Sequence, residues 1–291
     1  LINTKKPILW TIHDLWPITS TEHFLEDEKS KKYSYKNIKN NFLKKFIFNK
    51  KKKLFLKKNL FLVSNSKWIE NFARKSDLTK HINISTIYNP IDHKLWVRKR
   101  RSISLKNLNL EKNKIYILYG AFGGLKNYRK GGDLLIESLK YLQIQKSNVE
   151  FIVLGSDTNS TKMIQNFKFN FRKFTSNTQK QISYHSVASL TVIPSRGESI
   201  PQFSVETILC KNPVVAYNIG GLNEVIYHKK NGYLAKSFDT KDFAKGIKFC
   251  LNKNIKTNVN YFRNKVINNF NKKKTLKNYR DMISKIDLDH K

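Results

Sequence analysis

Residues 194–235 read PSRGESIPQFSVETILCKNPVVAYNIGGLNEVIYHKKNGYLA, and this stretch decides the predicted fold. It carries two carboxylates eight positions apart, Glu198 in a predicted loop and Glu206 inside the helix that follows. Ser199 is predicted to cap this helix, and Gln202 would complete a capping box. At a rise of ~1.5 Å per residue, the carboxylates are expected roughly 10 Å apart, a spacing suited to holding the two ends of a long ligand. The helix N-terminus between them offers free N–H groups to a phosphate.

Short apolar runs alternate with helical patterns through the second half of the chain. Strands are predicted at residues 115–119, 149–154, 190–193 and 214–217, with irregular sequence from 155 to about 176. Helices are predicted at residues 133–142, 178–188, 222–228, 240–252 and 260–285. This alternation predicts a doubly wound parallel sheet, in which ligands bind at the carboxyl ends of the strands.

The block at 194–235 resembles the donor-binding signature of retaining, nucleotide-sugar-dependent glycosyltransferases of family 4, the glycosyl transferases group 1. The matching pieces are Glu198 and Glu206, then Pro213-Val214-Val215, Gly220-Gly221 and Asn231-Gly232-Tyr233-Leu234. The resemblance implies an α/β chain with the GT-B fold, which has two Rossmann-like domains with parallel sheets. It also implies sugar transfer from a nucleoside diphosphate sugar to a hydroxyl acceptor, with retention of the anomeric configuration. On the two glutamates alone, a solvated helix face for Glu206 would be the better interpretation.

The resemblance also implies roles for single residues of the block. Glu198 would hold donor-sugar hydroxyls as a catalytic residue, and Glu206 would hold the ribose hydroxyls. Main-chain contacts to the donor would come from Ser199, Ile200 and Gln202. The nucleoside diphosphate sugar would be a co-substrate, and no metal or other cofactor is expected.

The glycine-rich loop at 120–132, GAFGGLKNYRKGG, leads from a predicted strand into a helix. The resemblance implies that Lys130, with Arg129 beside it, contacts the donor diphosphate. Many relatives also carry an arginine directly after the glycine of the strand, where this chain has Ala121. One expected cation is therefore missing, unless Lys126 or Arg129 replaces it. A solvated basic loop is the alternative interpretation.

The segment HDLWPIT follows the first predicted strand. It resembles a subset of the family that is common in exopolysaccharide clusters. The residues that match are His13, Asp14, Trp16, Thr19, His23 and Phe24, whereas Ser20, Thr21 and Glu22 replace the two glycines and the cysteine of that subset. By resemblance, His13 lies against the donor sugar as a catalytic residue. A purely structural histidine is the alternative.

The predicted domains are an amino-terminal, acceptor-side domain at 1–105, a donor-binding domain at 106–260, and a carboxy-terminal helix at 261–291 that packs back toward the first domain. In relatives the His-Asp pair follows a stretch that completes the first sheet. The first domain is therefore expected to be truncated. The alternative to an enzyme is a non-catalytic protein that binds sugars or polyanions with a decayed cleft.

The chain is strongly basic, with 56 Lys and Arg against 21 Asp and Glu and a net charge of +35. A compositional bias toward Lys, Asn and Ile accounts for much of it, and no nucleic-acid-binding motif accompanies it. The Lys-rich stretch 29–58 is the best candidate for contact with an anionic membrane. We therefore expect a cytoplasmic protein, peripheral on the inner face of the plasma membrane. Its expected partners are the nucleotide-sugar donor and a lipid-linked or saccharide acceptor, and nucleic acid is not expected.

Overall fold

The computed structural model describes residues 6–24, 41–56, 59–251 and 259–289. The chain divides into two compact units: the first is Leu1–Ile91, Gly197–Ile200 and Asn269–Lys291, and the second is Asp92–Arg196 and Pro201–Asn268. These bounds differ from the predicted divisions after residues 105 and 260. They also place part of the motif block, Gly197–Ile200, in the first unit, where the Ser199 hydroxyl hydrogen-bonds to Asn65.

The described residues form these elements in chain order. The strands are β1 (Ile8–Ile12), β2 (Leu60–Ser64), β3 (Ile84–Thr86), β4 (Ile115–Gly120), β5 (Val149–Ser156), β6 (Ser160–Ile164), β7 (Phe167–Lys173), β8 (Ala188–Ile193), β9 (Val214–Tyr217) and β10 (Gly232–Ala235). The helices are α1 (Phe42–Phe55), α2 (Lys67–Lys75), α3 (Arg101–Asn107), α4 (Gly132–Ser138), α5 (Thr178–Val187), α6 (Gln202–Leu209), α7 (Thr240–Leu251), α8 (Val259–Asn269) and α9 (Lys272–Asp289). None of the helices in these ranges has the length and apolar character needed to cross a bilayer.

The first unit is built on a three-stranded parallel sheet of order β1-β2-β3. Strand β2 is buried along its whole length, as expected for the central strand of a parallel sheet. Its side chains join those of α1 and α2 in one apolar cluster that includes Leu62, Ile69 and Phe55. The last helix, α9, belongs to this unit, where the Tyr279 hydroxyl lies 2.9 Å from Thr11 Oγ1.

The second unit contains a seven-stranded sheet of order β10-β9-β8-β4-β5-β7-β6. Every neighbouring pair is parallel except β6 and β7. The strands near the centre are almost wholly buried, because helices cover both faces. The predicted parallel sheet with strands alternating with helices is therefore confirmed.

Three element predictions for the carboxy-terminal half were wrong. The segment 155–176 is not irregular but contains the hairpin β6–β7, whose second strand pairs with β5. The sequence did indicate β7, because Phe167, Phe169 and Phe171 recur at every second position, as in a strand. Phe167 and Phe169 are buried in the core. The helix predicted at 222–228 is only a 3-10 turn, Leu222–Glu224. The single helix predicted at 260–285 is two helices, α8 and α9.

Candidate functional site

A cleft of about 370 Å³ opens in the second unit where β4 and β5 end, at the carboxyl edge expected to bind ligands. Its volume falls in the range of small-molecule sites, which is roughly 300–1,000 Å³. Three predicted donor-binding residues, Lys130, Gln202 and Glu206, line it together. The other lining residues are Gly120, Ala121, Phe122, Leu154, Gly155, Lys173, Phe174, Thr175, Gln181, His185 and Phe203.

Lys130 ends a short 3-10 turn, Tyr128–Lys130, and its backbone N–H donates to the Asn127 side chain at 3.3 Å. The next residue, Gly131, adopts a positive φ of 68°. A Cβ at this position would lie 1.9 Å from the carbonyl oxygen of Pro194. The loop that carries Lys130 therefore packs directly on the backbone that leads into the motif block, and only glycine fits at the contact.

Arg196 holds the two loops together, a role that the sequence analysis missed. Its guanidinium donates to both carboxylate oxygens of Asp133 at 2.8 and 2.6 Å, and to the Tyr128 carbonyl at 2.7 Å. It also lies 3.8 Å from the centre of the Tyr128 ring, and the Arg196 backbone N–H donates to the Arg129 carbonyl at 2.8 Å. These hydrogen bonds from Arg196 hold the pKa of the Asp133 carboxyl below its usual range. Arg129 is thereby fixed through its backbone, but it does not line the cleft.

Glu206 lies on α6, the helix predicted to carry it, and the sequence analysis did not anticipate its neighbour His185. The His185 ring is fully buried, and its Nε2 lies 3.7 Å from Glu206 Oε2. The Nδ1 atom of His185, which is on α5, lies 3.2 Å from Oγ1 of Thr207, the residue that follows Glu206 on α6. Among the described residues, His185 Nε2 has no hydrogen-bond partner. A buried imidazole therefore lies 3.7 Å from the carboxylate that is predicted to bind ribose.

Strand β4 must end in a glycine because of Phe203. A Cβ on Gly120 would lie 2.5–2.8 Å from three atoms of the Phe203 ring. This ring lines the cleft and packs on His185, with 4.8 Å between ring centroids. Phe203 therefore forms part of the cleft wall, and the glycine of the 120–132 loop makes room for it.

Many relatives carry an arginine directly after this glycine, but this chain has Ala121, which has no charge. Lys126, a possible replacement, does not line the cleft. Lys126 Nζ lies instead 3.6 Å from Asp157, next to a different cavity. Lys173, at the end of β7, lines the cleft and is a second basic side chain there besides Lys130. The sequence analysis missed it because it treated this segment as irregular.

The predicted capping box at the start of α6 is wrong. The residue at the N-cap is Pro201, and no side chain caps the helix. Ser199 Oγ instead donates to Asn65 Oδ1 at 2.6 Å and lies 2.9 Å from Ser66 Oγ. Glu198, in the same tetrapeptide, is buried in the first unit. The loop is therefore held by residues after β2 rather than by its own helix.

His13 is an exposed residue directly after β1, at the carboxyl edge of the first sheet. Its Nδ1 lies 3.3 Å from Asn65 Nδ2, so that Asn65 contacts both His13 and Ser199. The carboxylate of the neighbouring Asp14 pairs with His23 at 2.7 Å. The structure thus brings two predicted site residues, His13 and Ser199, to one amide side chain.

Lys51 stabilises the turn that follows His13. Its ammonium donates to the carbonyls of Trp16, Thr19 and Ser20 and lies 3.9 Å from the centre of the Trp16 ring. Burial lowers the pKa of Lys51 to about 8, against the opposing charges of Glu22 and Asp14. One cation on α1 therefore satisfies three carbonyls of the turn.

Two further features of the described residues lie outside the predicted chemistry. No group of three His, Cys, Asp or Glu side chains in the described ranges is arranged to hold a metal ion. A cavity of about 480 Å³ in the first unit runs along β3 and α9, and its lining includes none of the predicted site residues. The cleft in the second unit thus collects three of the six residues predicted to bind the donor, Lys130, Gln202 and Glu206.

Comparison with known proteins relates this geometry to a family. The family model of glycosyl transferases group 1 matches residues 100–272, more than half of the chain. An uncharacterised glycosyltransferase of Methanocaldococcus jannaschii is 30% identical over 171 residues, which are 55% of this chain and 46% of that protein. A D-inositol 3-phosphate glycosyltransferase of Pseudarthrobacter chlorophenolicus is 24% identical over 139 residues, 42% of this chain and 32% of that protein. The chain spans about half the length of the first of these relatives.

Solved structures show the same fold. Sucrose-phosphate synthase from Thermosynechococcus elongatus superposes with a TM-score of 0.72 at 19% identity, covering 95% of this chain and 68% of that chain. HepE from Anabaena, in complex with UDP-glucose, gives a TM-score of 0.69 at 17% identity, covering 96% and 72%. The predicted α/β fold of the GT-B type is confirmed. Because the family model matches more than half of its length, the chain belongs to the glycosyl transferases group 1 family.

Proposed function

We propose that this protein transfers a sugar from a nucleoside diphosphate sugar to a hydroxyl acceptor, with retention of the anomeric configuration. The observation that carries the proposal is the cleft at the ends of β4 and β5. It presents Lys130 and Lys173 to a diphosphate, and Glu206 to hydroxyl groups. The membership of the chain in the glycosyltransferase family supports the same chemistry.

In the proposed reaction, the bond between the sugar C1 and the diphosphate oxygen breaks, and a bond from C1 to the acceptor oxygen forms. The leaving diphosphate oxygen keeps the electron pair of the broken bond and gains negative charge, and it takes up the proton that the acceptor hydroxyl gives up. Lys130 is the side chain placed to stabilise that charge, and Lys173 supplies the second cation that Ala121 does not. Preorganised cations of this kind are worth several kcal/mol in a water-poor cleft. No metal is required by this scheme.

In this proposal most of the remaining predicted residues act on the two parts of the donor that flank the diphosphate, the ribose and the transferred sugar. Glu206 binds the ribose hydroxyls, and Gln202 lies beside it on the cleft. Glu198 binds the hydroxyls of the transferred sugar, and His13 contacts the same sugar. Ser199 and Ile200 contribute main-chain contacts to the donor. Arg129 does not line the cleft, and its proposed contact with the diphosphate rests on its position next to Lys130 in the chain.

The proposal is tested by assaying transfer with a panel of nucleoside diphosphate sugars. UDP-glucose is the first donor to try, because a protein of the same fold was crystallised with it. We expect release of the nucleoside diphosphate to depend on an added acceptor and to be lost in Lys130→Ala. Exposed Lys140, on the same unit, is the matched control, since Lys140→Ala also removes one charge. Tight donor binding without any transfer would favour the non-catalytic sugar-binding alternative instead.

We further propose that the acceptor is lipid-linked and that α1 contacts the anionic inner face of the plasma membrane from the cytoplasm, as part of polysaccharide or glycolipid synthesis. The helix exposes Phe42 at 88% of its surface, Leu43 at 61% and Phe46 at 48%. The same helix carries four exposed lysines, at positions 45, 50, 52 and 53. Apolar side chains flanked by lysines are the pattern that binds anionic interfaces, with ~1 kcal/mol for each lysine close to the surface.

Vesicle sedimentation measures this association. We expect binding to vesicles of anionic phospholipid at low salt, little binding to neutral vesicles, and loss of binding at high salt because ions screen the charges. Replacing Lys45, Lys50, Lys52 and Lys53 by glutamine should remove most of the binding. The matched control replaces four exposed lysines of α9: Lys272, Lys273, Lys274 and Lys277. Equal binding to neutral and anionic vesicles, or equal loss in both variants, would refute the role of α1.

A further inference from the structure

Asn65 lies between two residues to which the proposed function gives roles. It follows β2 directly and is 6% exposed. One end of its amide faces His13, with 3.3 Å between Nδ2 and His13 Nδ1. The other end accepts from Ser199 Oγ at 2.6 Å. His13, Asn65 and Ser199 belong to the same unit, so this chain of contacts is internal to it.

The distances agree with the orientation of the amide, in which Oδ1 faces Ser199 and Nδ2 faces His13. A separation of 2.6 Å is usual for O–H···O hydrogen bonds and short for N–H···O, whose usual range begins near 2.7 Å. This separation fits the carbonyl oxygen as the atom of Asn65 next to Ser199, which leaves the NH₂ group toward His13. Ser66 is compatible with this arrangement: its Oγ accepts from the Ile69 N–H and can donate its own hydrogen to Ser199 Oγ, 2.9 Å away, so that the single Ser199 hydrogen goes to Asn65.

An NH₂ group has no lone pair to offer, so it can only donate to His13 Nδ1. A neutral imidazole that accepts at Nδ1 carries its hydrogen on Nε2. We propose that Asn65 is a positioning residue that keeps His13 in the Nε2–H tautomer and ties it to the Gly197–Ile200 loop. The catalytic role of this tautomer rests on the proposed function, in which the exposed His13 ring donates its Nε2–H to a hydroxyl of the transferred sugar.

The carboxylate that follows His13 in the chain does not compete for this role. Asp14 follows His13 in the chain, but its Oδ2 pairs with His23 Nδ1 at 2.7 Å, and its Oδ1 accepts from the Trp16 backbone N–H at 3.0 Å. A carboxylate at Nδ1 would favour the opposite tautomer, with the hydrogen on Nδ1.

Through Ser199, Asn65 also connects the histidine to the residue that follows Glu198. One side chain therefore orients His13 and anchors the loop that carries the predicted sugar-binding carboxylate.

The direct test is the nitrogen spectrum of the histidine rings in the full chain, labelled with ¹⁵N and recorded without ligand. The His13→Gln spectrum assigns the signals. We expect His13 Nδ1 to resonate as an unprotonated nitrogen and Nε2 as a protonated one. In Asn65→Asp, whose carboxylate can only accept, Nδ1 should acquire a hydrogen. Asn83→Asp, an exposed site of the same unit, is the matched control and should leave the His13 signals unchanged.

A hydrogen on Nδ1 in the wild-type chain, or an unchanged tautomer in Asn65→Asp, would overturn the inference. Circular dichroism checks that the variants fold. If Asn65→Asp does not fold, Ser199→Ala is used instead, because it frees the Asn65 amide to rotate. We expect this variant to show a mixture of both His13 tautomers. A pure Nε2–H form in Ser199→Ala would count against the role of Asn65.

In the transfer assay, Asn65→Asp should lower kcat by roughly tenfold or more, with a smaller change in KM, because the loss falls on a group acting at the sugar. The spectra are recorded without donor or acceptor. If the expected tautomers are found in a protein that transfers no sugar, the proposed function fails and the positioning of His13 stands.

Discussion

Glu206→Ala is expected to weaken binding of a nucleoside diphosphate by about ten- to a hundredfold, because a hydrogen bond to a charged group is worth ~1.5–3 kcal/mol. The carboxylate lies on α6 at the cleft with Lys130, and its side chain is 16% exposed. Removing it leaves the ribose hydroxyls without their charged acceptor. Isothermal titration with the free nucleoside diphosphate measures this affinity without any contribution from the transferred sugar.

Glu198→Gln is expected to have the opposite profile. The residue is assigned to the transferred sugar, so turnover should fall about ten- to a hundredfold while affinity for the free nucleoside diphosphate changes little. Glu137 is an exposed glutamate of the second unit on α4, so Glu137→Gln is the matched control for Glu198→Gln and Glu137→Ala for Glu206→Ala. If both variants keep the nucleotide affinity and turnover of the wild-type protein, the assignment of the two glutamates is wrong.

Gly131→Ala should cost about 2–5 kcal/mol of unfolding free energy in the second unit. The left-handed backbone contributes about 1–2 kcal/mol of this, since L-residues are strained there. The contact with the Pro194 carbonyl, 1.9 Å from the new Cβ, contributes about 1–3 kcal/mol as overpacking. The shift needed to relieve that contact would also move Lys130, so affinity for a nucleoside diphosphate should fall.

Gly123→Ala separates the two causes. Gly123 also has a positive φ, 82°, but the atom nearest to an added Cβ is the Asn127 Cβ at 3.8 Å, an ordinary contact. Its cost should stay near 1–2 kcal/mol, the backbone contribution alone. Urea unfolding followed by circular dichroism compares the two variants. Equal losses of stability would show that the packing of the Lys130 loop on Pro194 contributes nothing.

Local signals in the sequence were sufficient for much of the fold. Strands β4, β5, β8 and β9 were predicted because buried parallel strands are short apolar runs bounded by loop residues. The placement of Glu198 in a loop and of Glu206 in a helix follows from the same kind of pattern. The residues predicted to hold the donor, Lys130, Gln202 and Glu206, do line one cleft, since loops after parallel strands meet at one edge of a sheet.

Contacts between distant residues were decided only by the tertiary structure. The sequence offered Ser199 a nearby helix to cap, but its hydroxyl binds Asn65, 134 positions away. Arg196 likewise reaches Asp133, 63 positions away, and His185 lies next to Glu206 although the two are on different helices. The sequence alone determined which residue types are available and which local elements they form. Only folding determined which polar groups meet, because a buried donor or acceptor takes whatever partner the packed chain brings to it.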